Sequence, residues 1–147
     1  MIFPPLWRER KPHMNITNFD DLLQAAAMQP EPQRLLFVFA GKELPDDATL
    51  AQRVRFEAGQ GGALVPLMCV DKAPQELASF AALVREAQEF GKPWDMVFAA
   101  AMSGTVEKAP TSADAEKPLQ DMVEAIKMGR IEAFIPFDTA GQPVNLF

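Results

Sequence analysis

Five polar side chains stand where apolar runs end and chemistry could begin: Lys42, Asp71, Lys72, Ser103 and Asp138, with Glu43, Thr105 and Thr139 close by. Carboxylates gathered with two lysines could move protons or hold a divalent cation through oxygen ligands. The same residues also suit plain turn and cap roles. Asp71 precedes a helix start at Pro74, and Asp138 opens an Asp-x-x-Gly turn ending at Gly141. The turn and cap reading is the simpler of the two. These five residues are therefore candidates for ligand binding, and none is assigned a catalytic role.

Other chemistries are thinly supplied. The chain has one cysteine, Cys69, one histidine, His13, and no tyrosine. A catalytic thiol needs a base or a helix amino terminus to depress its pKa, and the sequence neighbours of Cys69 are apolar, so it reads as a packed, inert thiol. A Ser-His-Asp triad and the usual structural zinc sites both need side chains that are missing here. No metal and no cofactor are expected. Gly59, Gly61 and Gly62 follow a helical pattern and precede a strand pattern, the reverse of a phosphate-cradling loop, so they read as a helix terminator and a turn. The eight methionines fall mostly inside strand and helix stripes, which points to core filling rather than an adaptable surface.

Composition sets the frame for these residues. With 147 residues, 48% hydrophobic and 23% charged, one domain with one real core is expected. A net charge of −6 without a Lys/Arg stripe argues against nucleic acid as a partner. No apolar run is long enough to span a bilayer, and the cysteine count suits a reducing compartment, so the chain reads as soluble and cytoplasmic with no membrane partner. Residues 1–13 carry three prolines, a Trp and a local charge of +2, leaving a body of 11 basic and 19 acidic residues. This prefix reads as an extension or disordered tail, and 14–147 as a single α/β domain.

Helical and strand patterns alternate from Met14 onward. Thr17 and Asn18 precede a helix over Phe19–Met28, and Asp46 and Asp47 precede a second through Leu50, Val54 and Ala58. Pro74 opens a third with Leu77, Phe80, Val84 and Ala87 at helical spacing, and Thr111 with Asp114 has capping-box spacing before a fourth. Strand patterns fall at 34–40, 63–70, 94–102 and 131–137. Pro66 and Pro136 mark the second and fourth as edge strands, and the clean apolar run at 34–40 as central. Helices between successive strands predict a layered α/β domain of about four strands and four helices, the sheet mostly parallel or mixed, with an antiparallel last strand left open. A parallel sheet would gather all five candidate residues at its carboxyl edge, with a pocket bounded by Lys42, Asp71, Ser103 and Asp138.

The stretches "MNITNFDDLLQAA", "QRLLFVFAGKELPDDAT", "FEAGQGGALVPLMCVDK" and "APTSADAEKPLQDMVEAIKMGRIEAFIPFD" resemble a family of small uncharacterised proteobacterial proteins often labelled ribonucleotide reductase subunit alpha. The resemblance covers 14–147 and brings no catalytic residue with it. Ribonucleotide reduction uses a radical cysteine and, in the common classes, a further cysteine pair as reductant, so a chain with one cysteine does not carry that activity alone. The functional expectation is a non-catalytic interaction or regulatory domain whose partner is another protein or a second copy of itself. The alternatives are a small-molecule or divalent-metal binder or enzyme at the carboxyl edge, and an accessory subunit of a larger enzyme.

Overall fold

The computed structural model describes residues 16–44, 46–58, 63–105 and 107–144; the 1–13 prefix and the three glycines of 59–62 lie outside them. Its elements are α1 (Phe19–Ala27), β1 (Gln33–Glu43), α2 (Leu50–Glu57), β2 (Ala63–Lys72), a 3-10 turn (Pro74–Glu76), α3 (Phe80–Gln88), β3 (Met96–Ser103), α4 (Ser112–Lys127) and β4 (Ile135–Phe137). Local chemistry explains most boundaries. Asn18 accepts from the Asp21 N–H to start α1, and Thr111 and Asp114 form a reciprocal capping box at α4. The start of α2 is set by Thr49 with Gln52 rather than by Asp46 or Asp47. The expected third helix divides: Pro74 opens only the 3-10 turn, and Ser79 caps α3.

The strands form one open sheet in the order β2-β1-β3-β4. The two proline-bearing strands are its edges, because a proline nitrogen cannot donate to a ladder. The parallel or mixed sheet is corrected: every neighbouring pair is antiparallel. The reason lies in what each intervening helix does. A helix between two strands makes them parallel neighbours only when it packs across the sheet as a crossover. Helix α2 has no buried residue, so it does not pack across the sheet, and β2 lies beside β1 as its antiparallel neighbour. Strands β2 and β3 do run the same way with α3 between them, but β1 lies between the two and opposes both. Strands β3 and β4 are adjacent and antiparallel around α4.

Both faces of the sheet are covered, which is why 35–40 is apolar at every position. Leu35, Phe37 and Phe39 face a cluster with α1 and α3, while Leu36, Val38 and Ala40 face α4. The first cluster is aromatic: the Phe19 ring lies 5.7 Å from Phe37, 5.0 Å from Phe80 and 5.3 Å from Phe137. Each fully buried Phe contributes roughly 1.5–3 kcal/mol of transfer free energy. On β3 the small side chains of Ala99, Ala100 and Ala101 alternate between the two clusters.

Candidate functional site

Antiparallel pairing decides where the five candidate residues go. At one rim, the start of β1 meets the ends of β2 and β3, since Leu35 pairs with Lys72 and Gln33 with Ser103. This brings Asp71, Lys72 and Ser103 to one end of the sheet. Lys42 lies at the far end of β1, opposite Leu64, and Asp138 follows Phe137, which pairs with Val97 near that same far end. The expected pocket bounded by Lys42, Asp71, Ser103 and Asp138 is therefore excluded, since the first and last of these lie at the opposite end of the sheet from the other two.

Each residue of the first rim already has work. Strand alternation sends Asp71 and Lys72 to opposite faces. Asp71 takes the Arg34 Nε at 2.5 Å and the Ser112 hydroxyl at 3.1 Å, tying the first turn of α4 to the sheet. Lys72 reaches Glu86 on α3 at 2.8 Å. The Ser103 hydroxyl accepts from Gln33 Nε2 at 2.8 Å. At the other rim, Asp138 accepts from the N–H groups of Ala140 and Gln142 at 2.8 and 3.0 Å, which is the turn role. The backbone N–H of Lys42 donates to Asp95 at 2.8 Å.

The concavity of this rim lies beside the candidates. A cleft of about 460 Å³ opens between the last turns of α1, the first residues of β1, the 3-10 turn and the segment Ala109–Pro110. The wall at Ala109–Pro110 is held in place: Gly104 donates to the Pro32 carbonyl at 2.9 Å, and Thr105 and Lys108 exchange backbone bonds at 2.9 and 3.2 Å. A Cβ on Gly104 would collide with the Lys108 carbonyl, so glycine is required there. Gln33 and Arg34 sit at the cleft's inner end. Sequence reasoning passed over both, although two long polar residues leading a continuous apolar run were the available signal. A shallower hollow of about 340 Å³ next to it is lined by Ser103, Thr105, Lys108 and Asp114.

The two edges of the sheet differ. The outer side of β4 is met by the chain that follows it, through a bridge from Phe137 to Pro143 and a 2.9 Å bond from Val144 N–H to the Pro136 carbonyl. Strand β2 pairs only with β1, and no described strand lies on its other side. Its ladder is interrupted once, where the register shifts between Phe39 and Ala40 and leaves Leu67 without a partner beside Pro66. Cys69 lies on this strand and is exposed, which corrects the expectation of a packed thiol. Its sequence neighbours are apolar because they face the sheet's neighbours, whereas an edge strand leaves some positions to solvent. Partial burial, and then the nearby Asp71 carboxylate, push its pKa up and keep it a thiol.

Among the described residues no group of three or more His, Cys, Asp or Glu is placed to hold a metal ion, and no helix is long and apolar enough to cross a membrane. No protein-family model, curated protein or solved structure matches this chain.

Proposed function

We propose that this chain is a non-catalytic interaction domain that pairs with a second copy of itself along β2. The observation that carries the reading is the asymmetry of the sheet, one edge met by the segment that follows β4 and the other, β2, with no described strand beyond it. An open strand presents unpaired N–H and C=O groups that favour addition of another strand.

Symmetry restricts how two copies could meet. Antiparallel strands related by a two-fold axis require the axis to be perpendicular to the joined sheet, so both copies present the same face to the same side. Facing residues on a pleated pair also point to the same side, so the residue at the axis faces its own copy, and the axis never falls level with the gap between two successive residues. An axis at Met68 would bring Pro66, which has no N–H, opposite Val70, and an axis at Asp71 would oppose two carboxylates. An axis at Cys69 opposes Met68 with Val70 and leaves Pro66 near the end of the paired stretch.

In that arrangement the two Cys69 Cβ atoms lie about 4.5–5.5 Å apart. Sedimentation velocity over a range of concentrations is expected to give a dimer, and a short bifunctional thiol reagent a covalent dimer through Cys69. Cys69→Lys, a change at an exposed position, is expected to yield a folded monomer by opposing two ammonium groups. A monomer at every concentration refutes the proposal, and a dimer that survives Cys69→Lys moves the contact elsewhere.

A further inference from the structure

The cleft beside Gln33 carries an inference independent of the open edge. Among the described residues Gln33 is the only polar one that is buried, at 8% exposure. Its Nε2 uses both hydrogens, one on the Glu31 carbonyl at 3.0 Å and one on Ser103 Oγ at 2.8 Å. A carbonyl can only accept, so the Glu31 contact sets which end of the amide is nitrogen. The Oε1 therefore has no donor among the described residues. An acceptor left without a protein donor at the wall of a cleft can take a hydrogen bond from a donor that enters it. Gln33 lines the 460 Å³ cleft, and that volume lies in the ordinary range for small-molecule sites, roughly 300–1,000 Å³.

The remaining walls say what class of molecule fits. Leu23, Ala26, Pro32, Pro74, Ala109 and Pro110 supply an apolar surface. The charged lining residues are Glu31 and Arg34. The Arg34 guanidinium is already engaged, with Asp71 on Nε, Glu76 at 3.7 Å from Nη2 and the Pro110 carbonyl at 3.5 Å from Nη1. A carboxylate or phosphate would find Glu31 nearby and its only cation neutralised, while a cation would have to sit beside Arg34. We infer that the cleft between α1, the start of β1 and Ala109–Pro110 binds a small neutral molecule with an apolar body and a hydrogen-bond donor, which donates to Gln33 Oε1.

The test uses amide-resolved NMR of the full chain with benzamide, acetanilide and 2-pyridone as probes, against N,N-dimethylbenzamide, which lacks the donor, and benzoate, which is charged. The three donors are expected at millimolar concentration to shift the resonances of Ala26, Ala27 and the Gln33 side chain. The two controls are expected to bind about fivefold more weakly or less, the factor that one net hydrogen bond commands. Gln33→Met is expected to erase the difference between donors and controls. Ala27→Leu, at an exposed cleft position that leaves Gln33 in place, is expected to abolish the shifts altogether. Equal binding of benzoate or the dimethylated amide, shifts centred elsewhere, or no response to any of the three donors overturns the inference. None of these outcomes depends on whether β2 pairs with a second copy.

Discussion

Asp71 and Lys72 are adjacent in the chain, yet the sheet separates their partners, Arg34 and Ser112 for one and Glu86 for the other. Their side chains hold helices α4 and α3 against opposite faces. The Arg34 and Asp71 side chains keep only 13% and 16% exposure, so removing one leaves the other poorly solvated. Asp71→Ala is expected to lower unfolding free energy by about 2–4 kcal/mol, somewhat less than a fully buried pair because Glu76 and some water remain in reach. The double replacement Arg34→Met with Asp71→Leu is expected to recover most of that loss. Lys42→Ala, whose side chain makes no ion pair among the described residues, should stay within about 0.5 kcal/mol. Urea denaturation of the three variants checks this; equal losses at Asp71 and Lys42 would contradict the assignment. At this scale the sequence showed the caps, Asn18 and the Thr111–Asp114 box, and the Asp138 turn, because each is completed within four residues. It could not show the exposure of Cys69 or the linkage of Arg34 to Asp71, which depend on pairing across 37 positions.

Helices are equally unlike one another. In α3, Leu83 and Ala87 are buried at 0% and 2%, whereas α2 buries nothing and leaves Leu50 and Val54 at 78% and 58% exposure. Leu83→Ala is expected to cost about 2–5 kcal/mol, and Leu50→Gln and Val54→Gln within about 0.5 kcal/mol each. Thermal unfolding of the three proteins decides it, and a large loss at Val54 would mean that α2 packs on something. The contrast also explains why sheet direction was illegible. Apolar spacing announced a helix between each pair of strands, but spacing does not say whether that helix crosses the sheet. Leu50 and Val54 in α2, with Ala58 just after it, give much the same periodic signal as the core-facing positions of α3. Prolines were better guides, since Pro66 and Pro136 act through the ladder itself and so reported the edges.

For the whole molecule, the relevant lever is proton binding. Asp21 is held below the ordinary carboxylate range first by the Thr17 hydroxyl and then by the Thr17 and Asn18 N–H groups, and Asp114 by the Thr111 N–H and hydroxyl. Both sit in first turns, one on each side of the sheet, where a carboxylate also meets the favourable end of the helix dipole. A carboxyl whose folded pKa is depressed is protonated more readily in the unfolded chain, so the unfolded state takes up more protons and stability rises with pH across that window. The contribution is complete above the unfolded value, about 3.9 for Asp, and disappears as pH falls through the lower folded values. In the same interval the acidic surplus that gives −6 at neutrality is lost, and 14 Lys and Arg side chains begin to repel one another. Urea midpoints are therefore expected to hold steady from pH 7 to about pH 5 and to fall steeply below about pH 4. The double variant Asp21→Asn with Asp114→Asn separates the two causes. It is less stable than the parent at pH 7 and converges with it in acid if the caps carry the effect, whereas parallel curves at all pH values would leave only general charge repulsion.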